Sequence, residues 1–421
     1  TDQENRVIVS TYDGWNRLVS RKDPANHVTS YTYDKAGNRT SMTYPDGKKT
    51  LYEYNDQNLL TKVADATGNI RVLTHDASGN KISEKNKRDF TTSFQYDFLN
   101  RLIEEKNPQN TETLYAYDQN GNRLSMTVKN SDGVSKVTSF EYDLLNRHVK
   151  TINPGGGIEL SSYDSDGNII EMTDGNGQKI GYEYDSLNRP VEKNLPEGSI
   201  QYVYDNWGNV LSVTDLTGNT VYSYDFENRL LTESKTLNDA AKTFLTTRTY
   251  HDDGQIASLR DASGVTVSYE YDGRGLLSAV KNGSLSLAAY TYSSLGRPAL
   301  LTHGNGVKTA YSYDDLHRVA VLETADATGK SLSKQEYSYD GESNRTKLVE
   351  NGNRTIDYSY DSLDQLLGVQ YPGGTAQQSL SFEYDAFGNR TKIKTPFSET
   401  AYSYSSTSDE LASLTVNARL K

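Results

Sequence analysis

Aromatic and polar positions recur along this chain in one pattern from end to end. Two aromatic residues flank a usually polar one, as in Tyr31-Thr32-Tyr33 and Tyr182-Glu183-Tyr184, and a cluster rich in Asp, Asn and Gly follows. Residues i and i+2 share one face of a β-strand, so both rings point to the same side. Asp, Asn and Gly favour turns because they hydrogen-bond the local backbone or adopt positive φ. The pattern therefore predicts a strand that ends in a tight turn.

The second aromatic position, which we call the anchor, recurs mostly at steps of 20 or 21 residues. The anchors are Tyr12, Tyr33, Tyr54, His75, Tyr96, Tyr117, Tyr142, Tyr163, Tyr184, Tyr204, Tyr224, Tyr250, Tyr271, Tyr292, Tyr313, Tyr339, Tyr360, Tyr384 and Tyr404. Four longer steps of 24 to 26 residues interrupt the interval without destroying it. Such regularity is typical of a repeat array, so residues 1–421 are expected to form one array rather than two or three domains.

The turn after the anchor comes in two forms. We interpret Tyr142-Asp143-Leu144-Leu145-Asn146-Arg147 as a short turn and Tyr117-Asp118-Gln119-Asn120-Gly121-Asn122-Arg123 as a long one that needs glycine for positive φ. Short forms follow the anchors at 96, 142, 184, 224, 313 and 360, and long forms follow those at 33, 117, 163, 204, 339 and 384. The alternation predicts a structural period of two repeats, with anchors 271 and 292 fitting either form.

A second strand is expected to leave each turn, for example along residues 101–106, and to end in a second, looser turn. Seven of the nine prolines lie in these second turns, at positions 24, 45, 108, 154, 196, 372 and 396. The additional residues of the long steps are placed there too. Each repeat is then a β-hairpin, and consecutive hairpins would pair into one continuous antiparallel sheet.

The predicted fold is all-β: a continuous antiparallel β-hairpin ribbon of about 18 repeats. With strands about 4.8 Å apart, such a sheet would be on the order of 170 Å wide. A sheet of this width must curl because strand twist accumulates, so we expect it to spiral into a hollow shell or part of one. The competing architecture is a β-propeller, but double repeats would give roughly nine blades, more than the usual 4 to 8.

Composition narrows the function classes. Hydrophobic residues make up 34% of the chain and 32 residues are tyrosine, so a thick two-layer core is not expected. The net charge of -12 argues against a nucleic-acid partner. No apolar stretch approaches the roughly 18 residues of a membrane span, and without cysteine neither a disulfide nor a cysteine-based metal site can form. The start at Thr1, without an initiator Met, leads us to expect a fragment of a longer protein.

The sequence resembles the RHS or YD-repeat family, whose signature Y-D-x-x-G-N-R is intact at residues 33–39, 117–123 and 384–390. The resemblance covers essentially the whole chain. It implies a strand-rich ribbon that winds into a hollow shell, as in bacterial polymorphic toxins, the B and C components of insecticidal toxin complexes, and animal teneurins. In the bacterial members the shell encloses a toxic C-terminal domain.

One departure from the family limits what is carried over. Bacterial toxin members usually close the repeat region with a core bearing D-P-x-G motifs, where aspartyl self-cleavage frees the cargo. The only Asp-Pro here is Asp23-Pro24, followed by Ala25-Asn26 near the opposite end. The resemblance therefore implies neither a self-protease nor a toxin domain within this sequence.

We predict no catalytic, cofactor-binding or metal site. The repeat Asp and Arg occur in nearly every unit, which indicates turn bracing, because a catalytic centre needs one special site. The histidines, whose spacing does not suit a metal, are His27, His75, His148, His251, His303 and His317. His75 occupies an anchor, where its ring can pack as tyrosine does. The glycine-rich residues 153–157 and 303–306 lack the strand-to-helix context of a phosphate loop and are predicted to be turns.

Two functional hypotheses follow. The first is a non-enzymatic structural shell that encloses and helps deliver a C-terminal toxin cargo, exported as part of a larger bacterial toxin, either secreted or on the cell surface. Its partners would be the enclosed toxin domain or neighbouring shell segments. The second is an extracellular carbohydrate- or receptor-binding module, because flat tyrosine rings can stack on sugars. Packing of the same rings across strands is the favoured interpretation, and an enzyme ranks third.

Overall fold

The computed structural model describes residues 6–239, 242–372, 379–405, 408 and 410–418. Within these residues the chain forms 38 β-strands and no helix. The strands are β1 Val9–Tyr12, β2 Leu18–Lys22, β3 Val28–Tyr33, β4 Arg39–Thr43, β5 Lys49–Tyr54, β6 Leu60–Ala64, β7 Ile70–His75, β8 Lys81–Lys85, β9 Thr91–Tyr96, β10 Leu102–Lys106, β11 Glu112–Tyr117, β12 Arg123–Lys129, β13 Ser135–Tyr142, β14 His148–Ile152, β15 Ile158–Tyr163, β16 Ile169–Thr173, β17 Lys179–Tyr184, β18 Pro190–Leu195, β19 Gly198–Tyr204, β20 Val210–Asp215, β21 Gly218–Tyr224, β22 Leu230–Leu237, β23 Thr243–Tyr250, β24 Ile256–Arg260, β25 Thr266–Tyr271, β26 Leu277–Asn282, β27 Leu285–Tyr292, β28 Pro298–His303, β29 Lys308–Tyr313, β30 Val319–Ala325, β31 Ser331–Tyr339, β32 Arg345–Glu350, β33 Arg354–Tyr360, β34 Leu366–Gln370, β35 Ser379–Tyr384, β36 Arg390–Lys394, β37 Ser398–Tyr404 and β38 Leu411–Ala418.

Every anchor is the last residue of an odd-numbered strand, from Tyr12 in β1 to Tyr404 in β37. Strands β5 and β17 show the predicted alternation, with the two rings partly buried and the glutamate between them exposed. Sequential strands pair antiparallel, and all belong to one 38-stranded sheet among the described residues. The predicted all-β ribbon of consecutive hairpins is therefore confirmed.

Most hairpins carry a register shift immediately before their anchor. In the pair β17–β18, Glu183 lies opposite Glu192 whereas Tyr184 lies opposite Pro190. The even strand therefore has one additional residue at this point, which is a β-bulge and increases the local twist. Because the shift recurs in hairpin after hairpin, it is part of the repeat itself.

The chain divides into two compact units that are interleaved along the sequence. The first unit comprises Thr1–Arg6, Asp118–Leu124 and Thr138–Ala289. The second comprises Val7–Tyr117, Ser125–Val137 and Tyr290–Lys421.

The prediction of short and long turns after the anchor is wrong. Both forms close over the same five residues, since the Asp143 amide donates to the Arg147 carbonyl and the Asp118 amide to the Asn122 carbonyl. The position with positive φ is Asn146 in one form, at 60°, and Gly121 in the other, at 90°. Asparagine is among the few non-glycine residues that tolerate this conformation, so it replaces glycine without lengthening the turn.

The second turns are mostly not looser, contrary to expectation. In the turn after β2, the Asp23 amide donates to the His27 carbonyl at 2.9 Å and Asn26 has φ of 69°, as in a turn after an anchor. The additional residues of the long step after Tyr313 lengthen the strands, because β30 and β31 have 7 and 9 residues around an ordinary turn at 326–330. Residues 373–378, in the long step after Tyr360, lie outside the described residues.

We call the turns after anchors the regular rim and the turns between an even strand and the next odd strand the variable rim. Between the rims the sheet has little interior. The one apolar cluster among the described residues consists of Leu348, Ile356 and Val369, packed against neighbours such as Tyr337 and Phe382. As predicted, no thick core forms, so stability has to come from bonds within and between adjacent hairpins.

Substitution of the positive-φ residue should be costly in both turn forms. Gly121→Val and Asn146→Val place a β-branched residue in the left-handed region, at a cost of about 1–2 kcal/mol each. A Cβ at Gly121 would meet no atom within 4 Å, so its cost is one of backbone conformation rather than crowding. Leu145→Val, at the exposed neighbouring position, is the control. Scanning calorimetry should show melting-temperature losses for the first two variants, and equal losses for all three would contradict this assignment.

Candidate functional site

The structure holds no group of three or more His, Asp or Glu side chains that could bind a metal, within the residues it describes. A search of the same residues finds no helix long and apolar enough to cross a membrane. The side chains that recur in organised sets instead lie along the two rims. We therefore take the rims as the candidate functional site.

An aspartate braces most regular-rim turns, whereas Asn55 and Ser293 hold this position in two others. The Oδ1 atom of Asp185 accepts hydrogen bonds from the amides of Leu187 and Arg189 at 2.9 and 3.0 Å, while its Oδ2 atom accepts one from Arg189 Nε at 2.7 Å. In the glycine form, Asn168 takes the place of the arginine and donates Nδ2 to Asp164 Oδ2 at 2.9 Å. The predicted bracing role of the repeat Asp and Arg is supported by this geometry.

The turn bonds hold these carboxylates in the charged state. The hydrogen bond from the Arg189 side chain, followed by that from the Arg189 amide, lowers the pKa of Asp185 below its ordinary value. The Asn168 side chain likewise lowers the pKa of Asp164. Part of the negative charge of the chain is therefore carried by the aspartates that brace its turns.

Neighbouring regular-rim turns are joined by two alternating links. An arginine in the asparagine form reaches forward to a backbone carbonyl of the next turn, as Arg189 does to Asp205 at 2.9 Å. An asparagine in the glycine form reaches forward to a side-chain oxygen, as Asn209 does to Asn228 at 2.8 Å. The predicted period of two repeats corresponds to this alternation of links rather than to turn length.

Arginine side chains also stack on tyrosine rings of the following hairpin. The guanidinium of Arg189 lies 4.7 Å from the centre of the Tyr204 ring, and that of Arg318 lies 4.6 Å from Tyr339. In the glycine form the arginine one position later covers the ring two residues before the next anchor, as Arg345 does with Tyr358 at 4.4 Å. Each such contact is worth about 0.5–1 kcal/mol at an exposed site.

The anchor tyrosines form a second series of links. The hydroxyl of Tyr184 donates to the carbonyl of Ile169, the first residue of the preceding even strand, at 2.8 Å. The same bond, at 2.7 to 3.1 Å, is made by Tyr33, Tyr54, Tyr96, Tyr117, Tyr142, Tyr163, Tyr204, Tyr224, Tyr250, Tyr271, Tyr313, Tyr339, Tyr360, Tyr384 and Tyr404. This bond explains why the anchor is tyrosine and not phenylalanine.

At the anchor His75 the ring does not reproduce the whole of this role. His75 ends β7 as a tyrosine would, but its buried Nδ1 atom has no hydrogen-bond partner. His317 occupies the positive-φ position of its turn, at 62°, where most comparable turns have asparagine. Its Nε2 atom lies 2.9 Å from Asp46 Oδ2, and its ring meets Tyr44 edge-on with centroids 4.7 Å apart.

Within the second unit, variable-rim turns contact regular-rim turns more than 250 residues away. The clearest case is Arg88, which lies between the turns that follow Tyr339 and Tyr360. Its Nε lies 3.2 Å from Asp340 Oδ2, and its terminal nitrogens reach the Asp361 carbonyl at 2.8 Å, Asp364 Oδ1 at 2.5 Å and the Tyr360 carbonyl at 3.3 Å. We call this set of acceptors the guanidinium notch.

Other variable-rim side chains extend this contact. The Lys87 amide donates to Glu342 Oε1 at 2.6 Å, Gln109 Nε2 to Asp361 Oδ2 at 2.8 Å, and the Lys48 ammonium lies 2.5 Å from Asp315 Oδ1. The variable rim mostly supplies cations and amide donors, whereas the regular rim supplies carboxylates and carbonyls. The two rims are electrostatically complementary, which favours register and specificity.

A cation–π contact accompanies these charge pairs. The Lys136 ammonium lies 3.9 Å from the centre of the Phe387 ring, at the tip of a regular-rim turn. Within the first unit, Arg6 pairs with Asp253 and donates to Gln255 Oε1 at 3.0 Å. Arg6 precedes β1, so it too approaches a regular-rim turn from the side of the variable rim.

Open concavities elsewhere do not bring catalytic groups together. A cavity of about 580 Å³ is lined by residues including Arg354, Tyr371 and Leu380, and one of about 340 Å³ by residues including Lys150 and Glu171. In the second cavity, whose lining also includes Ser161 and Ser162, the carboxylates of Glu141 and Glu171 pair with Lys150 and Lys179 at 2.8 Å. The prediction that the chain has no catalytic residues remains a prediction.

Sequence reasoning found the braced turns but missed the rim-to-rim contacts. Their partners are separated by roughly twelve repeats, so no local pattern joins them. The available signal was the concentration of lysine and arginine at 85–88, in a turn that otherwise resembles its neighbours.

Comparison with known proteins agrees with this geometry. A family model described as Teneurin YD-shell matches residues 233–421, and one described as RHS Repeat matches residues 12–50 and 163–200. A search of curated proteins finds no match. The predicted resemblance to RHS/YD-repeat proteins is confirmed.

Solved structures share the fold. The chain superposes on TcdB2-TccC3-TEV with a TM-score of 0.81 and 17% identity, covering 96% of this chain and 26% of that one. Against the structure of a Photorhabdus luminescens Tc holotoxin pore, the TM-score is 0.65 with 16% identity, over 97% of this chain and 26% of that one. The chain thus spans about a quarter of the length of these structures.

Removal of one anchor hydroxyl should weaken two hairpins locally. Tyr184→Phe leaves the Ile169 carbonyl without this donor, at a cost of about 1 kcal/mol. Tyr182→Phe, two residues earlier on the same strand face, is the matched control. Hydrogen exchange should rise over β15–β18 in the first variant, whereas distant hairpins keep their protection. The same change in both variants would show that the hydroxyl bond does not contribute.

Acid should destabilise the turns only at pH values low enough for aspartate to begin to protonate. The pKa of Asp185 is lower in the folded chain than in the unfolded chain, so the charged form stabilises the fold above the unfolded value of about 4. This stabilisation is lost as the pH falls through the folded pKa. Circular dichroism should therefore stay constant down to about pH 4 and lose strand signal below it. Loss beginning near pH 6 would point to histidine instead.

Proposed function

Since this chain is built from RHS/YD repeats, we propose that it forms part of the wall of a protein shell that encloses and helps deliver a toxin-type cargo. The observation that carries the proposal is the continuous sheet of anchored hairpins along a chain that matches the Teneurin YD-shell model over residues 233–421. The likeness to a Tc holotoxin component adds the toxin context. The wall has no enzymatic activity of its own.

The physical case for a wall is that the sheet does not depend on a core. The anchor hydroxyl of each hairpin bonds the preceding hairpin, and arginine and asparagine links join successive turns. A sheet held together in this way can remain a single layer, with neither face covered by a second layer. The rim-to-rim contacts of the second unit fix one row of hairpins to another without a second layer.

The proposal also assigns partners and location. The enclosed toxin domain and further shell segments are the partners, and the whole protein is exported from a bacterium. Residues 1–421 act as one array within that shell. Because the chain spans about a quarter of the structures it matches, the remaining wall comes from other repeats.

A second candidate, binding of a surface glycan or receptor, is favoured by one observation. The side chains of Trp15 and Trp207 stand exposed at turn tips, where a flat ring can stack on a sugar. A glycan array tests this directly, with Trp15→Ala and Trp207→Ala as controls. Tryptophan-dependent binding would support the second candidate.

Protection of a fused reporter tests the wall. We expect an unfolded, protease-sensitive reporter placed directly after Lys421 to be digested several-fold more slowly than the same reporter behind a long Gly/Ser linker. Arg88→Ala, which opens the guanidinium notch, should reduce this protection while the strand signal in circular dichroism persists. Equal digestion rates for the direct and linked fusions would refute enclosure.

A further inference from the structure

The cavity of about 580 Å³ lies within the second unit and has an apolar base. The Tyr371 and Leu380 side chains line it, and both also pack against the buried cluster of Leu348, Ile356 and Val369. Its volume falls within the range of about 300–1,000 Å³ that is typical of small-molecule sites. The cavity therefore has the size and the apolar floor of a site for a small molecule.

Three consecutive variable-rim turns form the walls of this cavity. The first turn ends at Arg354, the second follows β34 and supplies Pro372, and the third follows β36 and supplies Pro396. The turn of Pro396 is closed by the Thr395 amide, which donates to the Ser398 carbonyl at 2.8 Å. Proline holds its backbone φ at about −65°, so these walls lose little conformational freedom when a ligand binds. The proline rings also add apolar surface to the cavity.

Among the described residues that line the cavity, Arg354 alone carries a charge. Its guanidinium lies 5.7 Å from the centre of the Tyr371 ring and donates a hydrogen bond to Glu350 Oε2 at 2.8 Å. A guanidinium has several N–H donors, so the bond to Glu350 leaves others for a ligand. The Arg354 side chain is 54% exposed, and Asn353 lines the cavity beside it. This end of the cavity is suited to an anion.

Two other concavities among the described residues differ in their charges. In the cavity of about 340 Å³, Lys150 is paired with Glu141. In a cavity of about 250 Å³ in the first unit, Arg6 is paired with Asp253. In both, the lining itself contains the carboxylate that neutralises its cation. The larger cavity presents the cation of Arg354 with no carboxylate among its described lining residues.

We propose that this cavity is a binding site for a small aliphatic monocarboxylate. The Arg354 guanidinium receives the carboxylate, because its planar fork matches the two carboxylate oxygens. The hydrocarbon chain lies against Leu380 and the two prolines, above the apolar cluster. A flexible chain suits this lining better than a flat ring, since the guanidinium already lies over the Tyr371 ring. The site is independent of the proposed wall and adds a ligand that the wall does not require.

Equilibrium dialysis of the full chain against octanoate tests the site. We expect one saturable octanoate per chain. From hexanoate to octanoate the affinity should rise about fourfold with each added methylene, because each one buries further apolar surface. Octan-1-ol, which has the same hydrocarbon chain and no charge, should bind about tenfold more weakly than octanoate, because it lacks the charge-assisted hydrogen bonds to Arg354.

Two variants separate the charge of the site from its volume. Arg354→Gln should weaken octanoate binding about tenfold and leave the affinity for octan-1-ol unchanged. Pro396→Trp, which places a large ring in the cavity, should weaken the binding of both ligands. The matched control is Lys347→Gln, which removes the same charge from the same hairpin. Lys347 lies opposite Asp357 on the sheet face that points away from the apolar cluster, so octanoate binding should not change.

Three results would overturn the proposal. They are octanoate uptake that does not saturate, equal affinities for octanoate and octan-1-ol, and equal losses of octanoate affinity in Arg354→Gln and Lys347→Gln. Undiminished octanoate binding by Pro396→Trp, with its strand signal intact in circular dichroism, would also place the ligand outside this cavity. Should Pro396→Trp lose its strands, the comparison of Arg354→Gln with Lys347→Gln decides alone, because both positions are exposed.

Discussion

The bond from each anchor hydroxyl to the preceding hairpin is the interaction on which the rest of the structure depends. It spans from the end of one odd strand to the start of the preceding even strand, as from Tyr184 to Ile169. Strand pairing alone would leave the turn ends free to splay. The hydroxyl bond joins successive turns just where the β-bulge bends the sheet, so the regular rim behaves as a connected edge.

The links along the regular rim also join neighbouring hairpins. Most turns are braced by their own aspartate, and many are then joined to the next turn by an arginine or an asparagine. Such bonds are individually modest at an exposed edge, on the order of 1 kcal/mol or less. Their number compensates for the missing core, and stability becomes a sum of neighbour terms, as in other repeat proteins. A sheet of this kind can change length by whole hairpins.

Much of the fold could be predicted from the sequence because the same residue types recur at the same positions of successive repeats. The anchors mark strand ends at every position, and the aromatic alternation gives the correct strand face. The sequence predicts turn length wrongly because glycine does not mark a longer loop here: Gly121 and Asn146 meet the same φ requirement. The arginine lies one residue later in the glycine form, which lengthens the sequence motif but not the turn.

The rim-to-rim contacts could not have been predicted in the same way. Arg88 and Asp364 are 276 residues apart, and nothing in either repeat identifies the other. The number of hairpins between them depends on the accumulated twist and curvature of the sheet, which is a property of many strands together. A sequence pattern defines the repeat, but the offset at which two rows of hairpins meet is a property of the folded sheet.

The two edges of the ribbon therefore differ in kind. The regular rim is rich in acceptors, and in the second unit the turns after Tyr339 and Tyr360 accept the Arg88 guanidinium. The sequence of the variable-rim turns differs from one turn to the next. In the second unit Lys48, Arg88 and Lys136 supply contacts from this side to the regular rim. In the second unit the acceptors of the regular rim and the cations of the variable rim meet about twelve repeats apart along the chain. These contacts depend on a repeat whose two turns differ in chemistry, rather than on a hydrophobic core.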